Sequence, residues 1–306
     1  MIKVRLSVVM SNYNHSHFLK ERIFSILSQM TDNDEFIIVD DASTDHSVSI
    51  IEEFLKQDTR LKLIKNEKNL GVVRSANGAA HLAKGEYLTF LAADDQILPG
   101  FINKTMGMLL KHPEIGICCS DCASRYEGFP DKSSDKIYSA HLVENAKKPL
   151  LFPPPVMRNI FWTTFFWIPG HTAIMKKELF LKYGGIQERL GHLCDWFLMH
   201  CIALNEGVAY IPETLAVWRE DANSYSHRLG GHRKHRRKFQ LKLFDVLSEK
   251  GNESLRSLFV TSGLLHYHIR PNLIHFIVRP YYWDFLFSFV KRYLFFKREK
   301  FFKELR

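Results

Sequence analysis

Three acidic sites in this chain stand where apolar segments give way to loop: Asp40-Asp41 after FIIV, Asp94-Asp95 after YLTFLAA, and Asp195 within HLCDWF. Adjacent carboxylates repel each other unless a cation or hydrogen-bond donors compensate. A divalent ion bridging to a diphosphate meets that need at Asp94-Asp95, because hard cations take oxygen ligands. The alternative for such a pair is one aspartate closing the turn before Leu98-Pro99 beside a solvated neighbour. The matching position of Asp40-Asp41 after an earlier strand favours the ion. Within VDDASTD, Ser43, Thr44 and Asp45 can close the first turn of a helix, while Asp40 or Asp41 can face a crevice and accept from a nucleobase N–H or a ribose. Tyr13, between Asn12 and Asn14, can stack on a planar base or serve as a half-buried aromatic at a strand end. Asp195 heads an apolar helix, whose N-terminus stabilises the anion while burial opposes it. Facing a phosphate pocket it is the best general-base candidate, and otherwise a helix cap; His192 competes more weakly for the same role. Together these residues outline a pocket for a nucleotide, a divalent metal and a hydroxyl to be activated.

Such groups need a scaffold that brings distant loops together. The first hundred or so residues alternate short apolar strands with amphipathic helices: strands are predicted at 4–10, 35–40, 61–65, 86–92 and 115–120. Phe18, Ile23, Phe24, Ile26 and Leu27 give the first helix an apolar face, as do Val48, Ile51, Phe54 and Leu55 the second, with Ser43 or Thr44 as its expected N-cap. This alternation predicts an α/β fold, a Rossmann-like and mostly parallel sheet covered on both faces. Such sheets take ligands at the carboxyl ends of their strands, where Asn12–Asn14, Asp40–Asp45 and Asp94-Asp95 fall. From about 121 to 170 the pattern breaks into a polar, loop-like stretch and an aromatic run around three consecutive prolines, which limit helix and deny sheet hydrogen bonds. That run suits core packing or a wall over the pocket. Regularity returns in TAIMKKELFLKYGG, in the helix candidate DWFLMHCIALNEG, and in a strand VAYIP before TLAVWRE.

The division expected is a catalytic body over residues 1–225, with a nucleotide half (1–120) and an acceptor half (121–225), followed by a basic, aromatic, helical region over 226–306. A chain of 306 residues with 46% hydrophobic content can build that core. Its five cysteines lack the spacing of a disulfide scaffold and read as reduced thiols; Cys119-x-x-Cys122 has no second pair to complete a metal site. No segment reads as a signal peptide or reaches the length of a membrane span, which points to a cytoplasmic protein, peripheral on the membrane if attached at all. The net charge of +9 is concentrated late: residues 227–238 hold six Arg or Lys, three His and no acid. An anionic partner is expected. The aromatic steps Phe285, Phe289, Tyr293 and Phe296 in the last segment fit a helix lying on an anionic membrane, or one packed on the body or on a second subunit. Nucleic acid is disfavoured, since the basic run carries no interleaved aromatic platform.

The ordered motifs resemble those of the inverting nucleotide-sugar glycosyltransferases of family 2, which have the GT-A fold. SVVMSNYNHSHFLKERIFSILSQ resembles the family's opening strand and helix, FIIVDDASTDHS its most recognisable motif, and NLGVVRSANGAAHLAKGEYLTFLAADDQILPG the segment ending in its metal site. YGGIQERLGHLCDWFLMHCIALNEGVAYIPETLAVWREDANSYS resembles the acceptor-side block, so the likeness spans roughly residues 5–226. The resemblance implies that Ser11, Tyr13, Asp41, Asn77 and Asp94 surround the nucleotide, that Asp94 with Asp95 beside it holds Mn²⁺ or Mg²⁺, and that Asp195 is the catalytic base. It places His192, Trp218 and Arg219 on the acceptor or diphosphate side. The implied activity is metal-dependent, inverting transfer from a nucleoside-diphosphate sugar, UDP by default, to a hydroxyl of a glycan or lipid-linked acceptor. Two departures stand out: Ala92 where the family usually has an acid two residues before Asp94, and Cys194 where a glutamate usually precedes the base. The Q-x-x-R-W motif of processive synthases is absent, LAVWRED standing in its place, so one transfer per encounter is expected. A nucleotidyltransferase and a non-catalytic nucleotide-sugar binder remain the alternatives.

Overall fold

The computed structural model describes residues 4–127, 137–164, 166–221 and 233–304. Strand β1 (Leu6–Asn12) pairs in parallel with β2 (Asp34–Asp40) on one side and β4 (Tyr87–Ala92) on the other, and β3 (Leu61–Lys65) extends the sheet beyond β2. Alternation decides which side chain goes where, because successive residues of a strand point to opposite faces. Leu6, Val8 and Met10 of β1 with Phe36 and Ile38 of β2 join one core, under α1 (Ser16–Leu27), α2 (Ser47–Leu55) and α4 (Phe101–Lys111). Val9, Ile37 and Val39 join the other, under α3 (Val72–Leu82). Burial of each large side chain there, such as Phe36 or Phe101, contributes about 1.5–3 kcal/mol.

Beyond β4 the sheet becomes mixed. Its order is β3-β2-β1-β4-β9-β6-β10-β5, with β9 (Ile174–Lys176) antiparallel between β4 and β6 (Ile117–Glu127). The expected strand at 115–120 is longer than the sequence pattern implied: β6 runs through the polar stretch to Glu127 because β10 (Val208–Asp221) supplies parallel backbone partners along that length. Likewise VAYIP and TLAVWRE are one strand, β10, interrupted by register shifts between Ile211, Thr214 and Ala216. The prolines do not exclude helix either. Pro154 opens α5 (Pro154–Thr163) at a position whose N–H would have no intrahelical acceptor. Short antiparallel strands β7 (Ile137–Ala140) and β8 (Leu150–Phe152) flank β6 and β10.

The C-terminal helices are α8 (Arg233–Leu247), α9 (Glu253–Ser262), α10 (His266–Ile269), α11 (Leu273–Ile277) and α12 (Trp283–Glu304). Phe244, Phe259, Phe276 and Phe285 are fully buried in the same core that holds Phe180 of α6 (Lys177–Lys182) and Phe197 of α7 (Cys194–Glu206). This region therefore packs on the body through aromatic contacts such as Phe197–Phe259, with centroids 5.7 Å apart. Of the aromatic steps expected to face a membrane, Phe285 is buried and Phe289 packs half-buried against that core. Tyr293 and Phe296, farther along the same helix, are exposed, so the first part of this side of α12 packs on the body, the alternative to membrane contact, while its later part faces solvent. The basic run survives in the described residues only from residue 233 onward; its first half lies outside them.

Candidate active site

The acids of VDDASTD turn out to be fasteners between three loops. Asp40 accepts from the Asn12 side chain at 2.8 Å and from the Ser43 N–H at 2.9 Å. Asp45 accepts the N–H groups of Ser16 and Ser47, the first residues of α1 and α2, each at 2.9 Å. Although burial opposes ionisation, hydrogen bonds from Ser47 and Ser16 hold Asp45 down at about 2. The expected N-cap at Ser43 or Thr44 is thereby corrected: α2 begins at Ser47, its cap position is His46, and Asp45 supplies the acceptor. Ser43 and Thr44 instead tie the turn to the end of β1, the Thr44 N–H donating to Asn14 Oδ1 at 2.8 Å. Ala42 and Asn14 adopt left-handed backbone, with φ of 62° and 58°, at these two strand ends.

Asp41 lies beneath this clasp. Its carboxylate accepts from the Asn66 side chain at 2.7 Å, the Leu70 N–H at 2.9 Å and the Gly71 N–H at 2.8 Å. Burial works against the anion, but these donors, with Ser75, hold its pKa below the usual range. Since a carboxylate has about four acceptor positions, Asp41 serves the loop before α3, and reading a nucleobase would require one of those donors to yield. Asn77 has both amide atoms committed to the backbone of Ile186, at 2.8 and 3.0 Å, and so ties α3 to the turn before residue 187. Above them the end of β1 is open: Tyr13 is 45% exposed, and the buried hydroxyl of Ser11 has no hydrogen-bond partner.

Asp94 and Asp95 lie in the loop just after β4 and differ in their surroundings. The two residues of β5 (Gln96–Ile97) that follow them pair with Val217 and Ala216 of β10, and this register draws the acidic loop alongside Trp218-Arg219. Asp95 is buried, and burial, with Asp94 second, pushes its carboxyl well above the ordinary range. Arg22 of α1 and Arg219 act in the opposite direction. Arg22, itself buried, donates to the backbone carbonyls of Ala93 and Asp94 at 3.4 and 3.1 Å; burial brings its guanidinium down to about 10 despite the pull of Asp95. Arg219 lies over the Phe18 ring, 3.9 Å from its centroid. Burial thus outweighs the two arginines at Asp95, while Asp94 is only half-buried. Among the described residues no three His, Cys, Asp or Glu side chains form a ready cage for a cation. That donor set nonetheless suits an ion held by one or two carboxylates and substrate phosphates, the usual arrangement for Mg²⁺.

Asp195 stands in the first turn of α7, where it accepts the Trp196 N–H at 2.8 Å. Solvent reaches its carboxylate, yet the protein walls crowd it. Burial raises its pKa, and the donor from Trp196 only partly offsets the rise. Of the two opposing influences at a helix start, burial wins. The wall beside it is Gly170: a methyl group there would lie 3.0 Å from Asp195 Oδ2. The turn Gly170–Thr172 contacts β4, β6, α7 and β10, so it joins the acidic loop's strand to the helix bearing Asp195. Next in that turn, His171 carries a buried Nε2 without a partner, burial brings its pKa down to about 4, and its ring is 6.5 Å from that of Trp218.

His192, expected on the acceptor or diphosphate side, lies in the short turn before α7. It packs on α8, its ring 5.7 Å from Phe239, and burial first, then Arg236, lowers its pKa. Gly191 makes this approach feasible, with φ of 54° and no side chain to strike the Phe239 ring. Ser11 and Tyr13 thus stand at the end of β1, Asp94 follows β4, Trp218 lies in β10 and Asp195 in the first turn of α7, while His192 contacts Phe239 and Asn77 bonds the backbone of Ile186. Arg22, Gly170 and His171 are additions that sequence reasoning missed, whereas Asp45 closes the first turn of α2 as its place in VDDASTD allowed.

Known proteins agree with this architecture. The profile of glycosyl transferase family 2 matches residues 7–184. An uncharacterized glycosyltransferase of Haemophilus influenzae is 37% identical over 225 residues, covering 72% of this chain and 67% of its own length. Another from Methanocaldococcus jannaschii is 31% identical over 222 residues, with 72% of each chain covered. Among solved structures, S. aureus TarS 1–349 in complex with UDP-GlcNAc superposes with a TM-score of 0.63 at 16% identity, over 94% of this chain and 81% of that one. The mannosyltransferase PcManGT from Pyrobaculum calidifontis, in complex with GDP-Man and Mn²⁺, gives 0.57 at 17% identity, over 95% and 86%. With its motifs, sheet order and helical extension in agreement, the chain belongs to glycosyl transferase family 2 and is a glycosyltransferase of the GT-A fold.

Proposed function

We propose that this enzyme transfers one sugar per encounter from a nucleoside-diphosphate sugar, with UDP the preferred carrier, to a hydroxyl of a glycan or lipid-linked acceptor at an anionic membrane surface, inverting the anomeric configuration. The observation that carries the reading is Asp195: a carboxylate with raised basicity, reachable by solvent, fixed in the first turn of a buried helix and walled by Gly170. In this role it takes the proton of the acceptor hydroxyl as that oxygen attacks the anomeric carbon. Tyr13 and Ser11 offer a stacking face and a hydroxyl for the base and ribose, and Trp218 and His171 line the approach to Asp195. Asp94, with Asp95 behind it, would hold Mn²⁺ or Mg²⁺ together with the donor diphosphate, and the ion would supply neutralising charge for the leaving nucleotide. Ala92 leaves this site without a carboxylate two residues before Asp94, so the substrate's phosphates would carry more of the coordination. The catalytic body over 1–225 and the helical region over 226–306 divide the work between transfer and placement.

A donor screen with added Mn²⁺ or Mg²⁺, reading released nucleoside diphosphate and the anomer formed, tests the reading. Asp195→Asn should keep nucleotide binding and lose about 10²–10⁴-fold in turnover, the usual contribution of a general base. Because a base must be deprotonated, wild-type turnover should fall as pH drops through the raised pKa of Asp195. Near-normal turnover by Asp195→Asn would remove the assignment, and release of pyrophosphate would indicate a nucleotidyltransferase instead.

A further inference from the structure

Helix α12 has a second face, which the aromatic steps at 285, 289, 293 and 296 do not describe. Trp283, Phe287, Val290 and Leu294 recur at intervals of four, three and four and so form one stripe along the helix. All four face solvent, with exposures of 43, 65, 43 and 57%. The Trp283 and Phe287 rings meet edge to face at 6.3 Å, and the indole N–H of Trp283 donates to the Ile277 carbonyl at 3.2 Å. Through that contact the stripe continues onto the end of α11 and the turn after it, where Ile274, Ile277 and Val278 are also exposed. Core packing does not explain this stripe, because the opposite side of α12 already supplies the buried Phe285 and Arg292. A contiguous apolar patch of this kind on a folded surface marks a contact.

Charge selects the occupant. Exposed Arg270, Arg279, Lys291 and Lys297 border the stripe, and Lys297 continues its helical spacing after Leu294. The sole acid between residues 270 and 298 is Asp284, and it is engaged by Arg256 at 2.8 Å. A second copy of the chain would bring like charge against like charge around the rim, which disfavours self-association. Among the described residues no helix is long and apolar enough to cross a membrane. We infer that the Trp283–Phe287–Val290–Leu294 face, with Ile274, Ile277 and Val278, lies in the interfacial layer of an anionic lipid bilayer while the flanking lysines and arginines meet its headgroups. This deepens the membrane-surface part of the proposed function and names the residues that perform it; it does not depend on Asp195 or on the donor.

The test uses the full chain with phosphatidylcholine vesicles, with and without phosphatidylserine, at low and high salt, read by co-sedimentation. Binding should require phosphatidylserine, weaken with salt, and fall by about tenfold or more in Phe287→Glu/Leu294→Glu, since each substitution removes an inserted apolar side chain and adds a repelled charge. Phe24→Glu, at an exposed aromatic on α1, should bind as wild type does. Vesicles with brominated acyl chains should quench wild-type tryptophan fluorescence and quench Trp283→Phe less, a readout that needs no destabilising change. Absence of anionic-vesicle binding, equal binding by the double variant, or equal quenching would overturn the inference. So would a wild-type dimer in sedimentation that the double variant breaks. Donor turnover with a soluble acceptor should persist in the double variant, so failure of the lipid contact and failure of the catalytic reading give different results.

Discussion

Lowering the pH should loosen the mount of Asp195 through His200, five residues after it on α7. His200 is fully buried; its Nδ1 donates to the Trp196 carbonyl at 2.7 Å, and its Nε2 has no partner. Its ring stacks on Trp196 at 4.4 Å and lies 5.1 Å from Phe161 of α5. Trp196 in turn meets His268 of α10 at 5.1 Å, so one aromatic contact set joins the helix of Asp195 to the C-terminal region. Burial brings the pKa of His200 from 6.5 to about 4. A folded pKa below the unfolded one means that the unfolded chain binds the proton first as pH falls. Above pH 6.5 both states hold a neutral ring; between 6.5 and 4 stability declines by about 1.36 kcal/mol per pH unit. At pH 5, about 1.5 units below the unfolded value, His200 alone removes about 2 kcal/mol. His266 and His268, brought down to about 4 and about 3 with burial as the main cause, add loss of the same sign. Asp95 and Asp195, whose carboxyls burial raises, work in the opposite direction. A bare pH profile therefore mixes signs, and the comparison with His200→Phe isolates the share of one ring. Urea unfolding followed by tryptophan fluorescence at pH 7 and pH 5 should show wild type losing about 2 kcal/mol more than the variant over that interval. An equal loss in the two proteins would refute the buried neutral imidazole as the source.

Two further substitutions probe the site. Gly170→Ala places a methyl group 3.0 Å from Asp195 Oδ2 and should displace the carboxylate, lowering turnover by about 10–100-fold with little change in the unfolding midpoint; unchanged turnover would show that the wall is slack. Ala42→Gly relieves a left-handed backbone that costs alanine about 1–2 kcal/mol, against a glycine entropy penalty of about 0.5–1, so stability in urea should rise by about 0.5–1 kcal/mol. A lower midpoint would contradict that balance.

The sequence alone determined the parts whose physics is local. The near-continuous apolar runs in LSVVMSN and DEFIIVD are what strands of a sheet buried on both faces require, and β3 at 61–65 was legible to the residue. The acidic strand ends were legible for the same reason, since a carboxylate directly after a buried strand must fall at the ligand edge of the sheet. The helix of Asp195 could be read from DWFLMHCIALNEG, but the sign of its pKa shift could not, because the helix terminus and burial pull in opposite directions and only packed neighbours set the second. Tertiary structure also decided which acids are taken up by loop donors. Asp41 meets donors about 25–30 residues away in sequence, and Asp45 adds the Ser16 N–H, 29 residues away, to its local bond with Ser47; over such distances no local spacing carries information. The same holds for Arg22 beneath Asp95, for Gly170 against Asp195, and for the two faces of α12. An aromatic repeat announces a helix stripe, but which stripe turns inward depends on the body that the helix packs against.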